Sequence, residues 1–255
     1  MPSIVGSREL RAVKKLPFCY ACGGALEFGA ASADHVPPKS CVAQLDRANS
    51  PLILPTHAVC NGSFSHSDER VGQFLSLLHG RRVASDKNLL KFSQVNADHM
   101  ALPSVDLYGT IWRWLRAFHA ALYWQPLDAA SKYAIELPCN VLTPGPSGIT
   151  LDAGRPRQRK LCEETLQRNR DTRNLDRIAA WNGRLRYECV WESTPINAYC
   201  VFWLDFYDWQ RLSAISQSPP RDCVGFYAIP LDRLPPHATL GTSIVTRGSG
   251  DRFGL

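Results

Sequence analysis

The sequence predicts an α+β protein, with an N-terminal module rich in Cys and His followed by helices and a small antiparallel sheet. Three observations carry this expectation. Residues 17–65 form short, Gly- and Pro-broken segments that hold most of the Cys and His residues able to bind metal. Stretches of helical apolar period follow. The C-terminal third then changes to β-branched and aromatic runs bounded by turn signals. With 255 residues, 45% of them hydrophobic and 20% charged, the chain can bury a substantial core and has the composition of an ordinary globular protein. That excludes a mainly disordered, collagen-like or coiled-coil chain. No window approaches the roughly 20 consecutive apolar residues of a membrane span. Met1–Leu16 lacks the apolar stretch of a secretory signal. The expectation is therefore a cytoplasmic protein with no membrane partner.

Taken in order, Val71, Phe74, Leu75 and Leu78 recur at i, i+3, i+4 and i+7 and predict a helix over 67–79. Ser65 (with Asp68) or Ser67 is its expected N-cap, and Gly80 its expected end. Ile111, Trp114, Leu115, Phe118 and Leu122 predict a second helix over 107–124, its aromatics read as core. Leu161, Thr165, Leu166 and Ile178 predict a third over 159–180 with its Arg residues outward. Strands are expected over 185–191, 199–207 and 224–229, and a loose tail over 248–255.

The formal net charge is +6, and it is concentrated. Between Arg155 and Arg186 ten Lys and Arg residues meet only four acids, Glu163, Glu164, Asp171 and Asp176. A block of this kind points to a polyanion partner such as nucleic acid. The opposing reading is a solvated helix face laced with pairs such as Glu164 with Arg168 and Arg173 with Asp176. Four acids offset only a minority of ten bases in that way.

Nine cysteines is an odd number, and without a signal segment a disulfide framework is not expected. Cys139, Cys162, Cys189, Cys200 and Cys223 lie among apolar residues and read as small core hydrophobes. Cys19-x-x-Cys22 is different. Gly23 and Gly24 follow it and let the chain turn so that amides point at thiolate sulfur, a half-site for tetrahedral Zn²⁺. His57-x-x-Cys60 is a second half-site of the same spacing, and together they make Cys3His. Cys41 is the substitute should His57 not ligate. Within the loop that such a clasp closes lies Asp34-His35-Val36-Pro37-Pro38, and Asn61-Gly62 follows the last ligand. Closure would bring an acid, an imidazole and a carboxamide together. Those groups suffice for metal-assisted phosphodiester hydrolysis: a neutral His takes a proton from water, and oxygen ligands hold a hard divalent cation beside phosphate.

These residues resemble the zinc-containing HNH endonucleases, a branch of the ββα-metal nucleases. The similarity is to HNH proteins that begin the motif with DHVPPK and end it with P-x-C-x-x-C-N-x-S-F-S-x-D-D-E. Here the two ends run from Asp34 to Lys39 and from Pro55 to Glu69. The strong part covers residues 17–75. The resemblance implies a ββα-metal module with structural zinc over 1–80 and a helical and antiparallel β accessory region over 81–255. It implies that Cys19, Cys22, His57 and Cys60 hold structural zinc. It implies that His35 is the general base, and that Asp34 and Asn61 hold a catalytic Mg²⁺ or Mn²⁺. Asn49 would be the middle asparagine, bracing the loop that orients His35. His57 stands where the pattern has Cys, and Asn61 where the family name implies His. The implied activity is hydrolysis of DNA, most simply double-stranded, to 5′-phosphate and 3′-hydroxyl ends. Lys39 would touch the DNA backbone. Whether the chain works with a protein partner or as a homodimer stays open.

A second reading is a catalytically inactive, HNH-derived zinc module that docks nucleic acid or a protein. Among neighbouring residues, His66 reads as exposed, and Asp68 and Glu69 as acids that complement a helix dipole. His79, His99, His119 and His237 read as structural.

Overall fold

The computed structural model describes residues 1–27, 29, 31–49, 51–79, 93–96, 99–101, 105–136, 141–145, 148–150, 156–207 and 222–241. Strand β1 (Ser3–Ile4) leads into helix α1 (Ser7–Ala12) and a 3-10 turn over Val13–Lys15. Strands β2 (Ala31–His35) and β3 (Ile53–His57) pair antiparallel, and helix α2 (Ala58–His79) continues directly from β3. Strands β4 (Ser93–Asn96) and β5 (His99–Ala101) precede helix α3 (Leu107–Tyr123). Strands β6 (Tyr133–Glu136), β7 (Val141–Gly145) and β8 (Gly148–Thr150) lead to helix α4 (Pro156–Asp171). The last strands are β9 (Asp176–Ala180), β10 (Leu185–Ser193), β11 (Asn197–Phe206) and β12 (Cys223–Pro230).

Among the described residues three sheets result. The largest has the order β1-β9-β10-β11-β12-β6, parallel only where β1 meets β9. It is larger than the small antiparallel sheet expected, because β1, β6 and β9 extend the three strands legible in sequence. The others are the β2–β3 hairpin and the four-stranded β4-β5-β7-β8.

Side-chain alternation explains why β10 to β12 read as near-continuous apolar runs. Tyr187, Cys189, Cys200, Phe202 and Tyr227 face the main core with α3, whereas Val190, Tyr199, Val201 and Phe226 face Cys162 and Leu166 of α4. A sheet covered on both faces loses the polar-out alternation. Helix α3 is the hub. Asp106 caps it by accepting the Gly109 N–H at 2.8 Å, and Trp124 ends it in the left-handed region at φ 55°. Trp114 meets Phe206 edge to face at 5.6 Å, Phe118 lies 4.8 Å from Tyr187, and Trp112 stacks on Tyr133 at 4.4 Å. The same cluster runs from Ile4 to Ile229 and includes Tyr20, Val36, Leu54 and Phe74, so the N-terminal hairpin region and the large sheet share one core.

Two helix boundaries differ from the sequence expectation. Helix α2 begins at Ala58, not 67. Ser65 and Ser67, the expected caps, lie inside the helix, and the Ser63 and Ser65 hydroxyls donate to the Cys60 and Gly62 carbonyls within helical turns. The apolar period marked only the part of α2 that packs. Helix α4 stops at Asp171, and Ile178 belongs to β9, not to a helix over 159–180. Arg173 takes φ 55° and Asn174 donates its N–H to the Asn169 carbonyl, which turns the chain. The expected Gly80 stop and the tail over 248–255 lie outside the described residues, as does Cys139.

The Arg-rich stretch is also paired differently. Glu164 meets Lys160 at 3.8 Å and Arg168 meets Glu192 at 3.9 Å, so the expected Glu164–Arg168 pair does not form. Asp176 is buried against Tyr123 and Thr239 instead of meeting Arg173. Arg159 bridges Glu136 at 3.0 Å and Glu163 at 2.7 Å, and Arg170 meets Glu188 at 2.7 Å. Arg186 pairs with Asp205. Acids on the strands thus offset much of a charge that the stretch's own acids could not. No helix among the described residues is long and apolar enough to cross a membrane.

Trp114 is fully buried beside Phe206. Trp114→Ala is expected to cost about 3–5 kcal/mol of unfolding free energy in urea titrations.

Candidate metal centre and hairpin site

The chain turns at residues 18–25. Phe18 bridges Ala25 antiparallel, Cys19 donates its N–H to the Gly24 carbonyl at 2.8 Å, and Gly23 returns its own N–H to Cys19 at 2.7 Å. Gly23 holds φ 77°, a conformation glycine adopts without penalty. A Cβ on Gly24 would lie 3.3 Å from His57 Cε1 and 3.4 Å from Cys22 Sγ, so the second glycine gives room for the approach.

The other half-site spans the junction of β3 and α2, with His57 ending the strand and Cys60 in the first helical turn. Ligand atoms of Cys19, Cys22, His57 and Cys60 all lie within 4.8 Å of one another, a cluster that could hold a metal ion and is compatible with structural zinc. A tetrahedral ion about 2.3 Å from sulfur and 2.0–2.1 Å from nitrogen sets its ligand atoms about 3.5–3.8 Å apart, inside that limit. The His57 ring is oriented for the task. Nε2 donates to the Ala25 carbonyl at 3.0 Å, which aims Nδ1 at Cys22 Sγ, 3.3 Å away. Desolvation works to raise the Cys22 thiol, yet the Gly24 N–H and the His57 ring together bring it down to about 7. Desolvation and the charge at Cys19 push Cys60 up to about 12. Crowded thiols of this kind resist multiple ionisation until a cation joins them. Cys41 stands apart from the cluster. Its buried thiol points at the Asp68 carbonyl, 4.0 Å away, so His57 fills the position for which Cys41 was the substitute.

Cys60 and Asn61 are successive on α2, about 100° apart around its axis. Cys60 faces the turn, and Asn61 faces β2, donating Nδ2 to Ser32 Oγ at 2.9 Å and reaching the Ala33 carbonyl at 3.5 Å. Asn61 therefore meets β2 at the two residues that precede Asp34. Ser32 and Asp34 share the face of β2 toward α2, and His35 falls on the alternate face. The Asp34 side chain is 4% exposed and accepts the Tyr20 hydroxyl at 2.5 Å. Burial pushes its carboxyl up, opposed by that hydrogen bond and by Arg113. His35 is half-buried, and desolvation followed by the charges of Lys39 and Lys14 brings it down to about 4, so it is neutral at pH 7.

Asn49 lies in the turn before β3, its N–H on the Asp46 carbonyl. The loop after His35 is tied instead by Val36 donating to the Leu52 carbonyl at 3.0 Å. Among the described residues no hydrogen bond joins Asn49 to that loop. The sequence reading missed Tyr20, Asp68 and Arg113. Asp68 does not serve a helix dipole: it is 8% exposed, well inside α2, and ion-paired with buried Arg113 of α3. Burial outweighs the guanidinium and raises Asp68 to about 6. The Asn61–Asp68 spacing of i, i+7 is the one local signal that both share a helix face. His66 and His237 are exposed, and His119 is buried against Tyr227 at 3.1 Å.

Purified protein is expected to carry one zinc per chain by elemental analysis, lost in Cys60→Ala and retained in Cys41→Ala. Cys60→Ala should also lower the melting temperature, since metal binding and folding are coupled. Comparison with models of protein families, with curated proteins and with solved structures finds no match, which leaves the arrangement of these side chains as the ground for assigning chemistry.

Proposed function

We propose that this chain is a metal-dependent endonuclease of the HNH kind, with structural zinc on Cys19, Cys22, His57 and Cys60. The observation that carries the reading is the contact of Asn61, at the start of α2, with Ser32 and Ala33 of β2, immediately before Asp34 and His35. An antiparallel hairpin running without a break into a helix, with a metal clasp at the junction, is the arrangement that a ββα-metal site requires. The Asp34 carboxylate and the Asn61 amide oxygen form a hard-oxygen donor pair of the type Mg²⁺ or Mn²⁺ takes. Asn61 spends its Nδ2 on Ser32, which leaves its Oδ1 for a cation. Such an ion, when bound, supplies charge stabilisation to the leaving oxygen of a phosphodiester.

The remaining steps belong to the chain. Neutral His35 accepts a proton from the attacking water on a ring nitrogen and so acts as general base. Lys39 and Lys14, whose charges act on His35, attract the phosphate to that edge of the hairpin. The zinc ligands take no part in cleavage and fix the distance between β2 and α2.

The second reading, an inactive zinc module that docks nucleic acid or a protein, is favoured by two features. Asp34 is almost wholly buried and hydrogen-bonded to Tyr20, and strand alternation turns His35 to the other face of β2.

Nicking of supercoiled plasmid in Mn²⁺ or Mg²⁺ separates the two. The endonuclease reading expects cleavage by the parent protein, suppression by a chelator of the divalent ion, and a loss of about 10²-fold or more in His35→Ala with zinc content unchanged. Parent protein that binds DNA but does not nick it with either metal would establish the inactive module instead.

A further inference from the structure

Around Asp34 four elements meet in one buried polar pocket. The Cys19–Cys22 turn contributes Tyr20, whose hydroxyl donates to Asp34 Oδ2 at 2.5 Å. Helix α2 contributes Asp68, and α3 contributes Arg113, whose Nη2 donates to Asp68 Oδ1. The guanidinium of Arg113 also lies over the Phe64 ring, 4.4 Å from its centroid. Tyr20 is fully buried and Arg113 is 4% exposed. The Arg113 Nε, also buried, has no hydrogen-bond partner among the described residues. With both carboxylates ionised, two negative charges face one guanidinium, so the pocket holds an excess negative charge away from water. A buried charge of that sort is costly unless a cation completes it.

Resting on the endonuclease reading, we propose that Tyr20 and Arg113 are positioning residues for Asp34, and that Arg113 makes α3 part of the catalytic unit. Tyr20 fixes one carboxylate oxygen through its hydrogen bond. Arg113 holds Asp68, and through it the α2 face that carries Asn61, against β2. Both are contributed from outside the hairpin and helix: Tyr20 from the zinc-bound turn, and Arg113 from beyond the segment that carries the motif. Ligand carboxylates held by outer partners in this way typically lose about 10–100-fold in metal affinity when the partner is removed.

The test compares full-length parent, Asp34→Ala, Tyr20→Phe, Arg113→Gln and Arg113→Lys in plasmid cleavage across a Mn²⁺ titration, with zinc content and melting temperature measured on each. Tyr20→Phe and Arg113→Gln are expected to raise the half-saturating Mn²⁺ concentration about tenfold or more, with zinc content unchanged and most of the rate restored at saturating Mn²⁺. Arg113→Lys, which keeps the charge but loses the planar fork, should recover part of the shift. A merely structural role would move melting temperature and leave the Mn²⁺ dependence alone. Half-saturation within twofold of the parent in both Tyr20→Phe and Arg113→Gln, or in Tyr20→Phe alone where Arg113→Gln does not fold, while Asp34→Ala is inactive, would overturn the positioning role and leave the site reading standing. Cleavage by Asp34→Ala at the parent's rate would sink the site reading itself, and the positioning role with it. Should Arg113→Gln not fold, Tyr20→Phe decides the matter.

Discussion

The convergence of Cys19, Cys22, His57 and Cys60 is the constraint on which the N-terminal architecture depends. A hairpin of two five-residue strands is marginal by itself, and its connecting loop must be closed at an entropic cost. The first two turns of α2 add little, since Asn61, Gly62, Ser63 and Ser65 are poor helix formers. Tying the 18–25 turn to the point where β3 becomes α2 meets both difficulties at one place. It fixes the strand end, the helix start and the hairpin face between them. The two glycines are part of the same constraint, one for its left-handed backbone and one for the room it leaves beside His57.

The opposite end of α2 is held by different physics. Phe74 and Leu75 enter the core shared with α3, and Asp68 pairs with Arg113 inside it. A buried ion pair is weak evidence of stabilisation, because desolvating both charges costs about as much as their attraction returns. What it does supply is register, since a displaced α2 would leave a buried charge without its partner. The close seat of Gly72 on Ser40 acts in the same sense, for a Cβ there would fall 2.3 Å from the Ser40 carbonyl oxygen. Helix α2 is thus located by the Cys and His cluster at its start, by charge in its middle and by close packing after that.

How much of this was legible in the sequence depended on the range of the signal. The paired half-sites were legible because two residues separate the members of each ligand pair and their chemistry is unusual. Helix α3 was legible because its apolar stripe is long, and β10 to β12 because both of their faces are buried. Asp68 was not. A carboxylate near the start of a helical pattern reads as a dipole partner, and nothing within its own helix announces that Arg113 lies beside it. The end of α4 was misplaced for a related reason: Ile178 is an apolar residue that reads as a continuation of the helix, but Arg173 in a left-handed turn breaks the helix first. The face on which His35 falls needed the strand itself, since alternation has meaning only once β2 is known to be a strand.

The Arg-rich stretch shows the same limit. Within 155–186 the cations outnumber the acids, yet Glu136, Glu188, Glu192 and Asp205 reach them from β6, β10 and β11. Arg170 and Arg186 also lie over the Trp203 ring, at 4.8 and 5.4 Å, so their guanidinium planes are occupied by an aromatic face as well as by carboxylates. Paired charges of opposite sign cancel at distances beyond a Debye length, about 8 Å at physiological salt, and attract little from afar. Lys14 and Lys39 are placed differently. They come from the two short 3-10 turns on either side of β2, and both act on the half-buried ring of His35. Lys14 and Lys39 thus set two positive charges beside one imidazole, at the edge of the hairpin next to the cluster of Cys19, Cys22, His57 and Cys60.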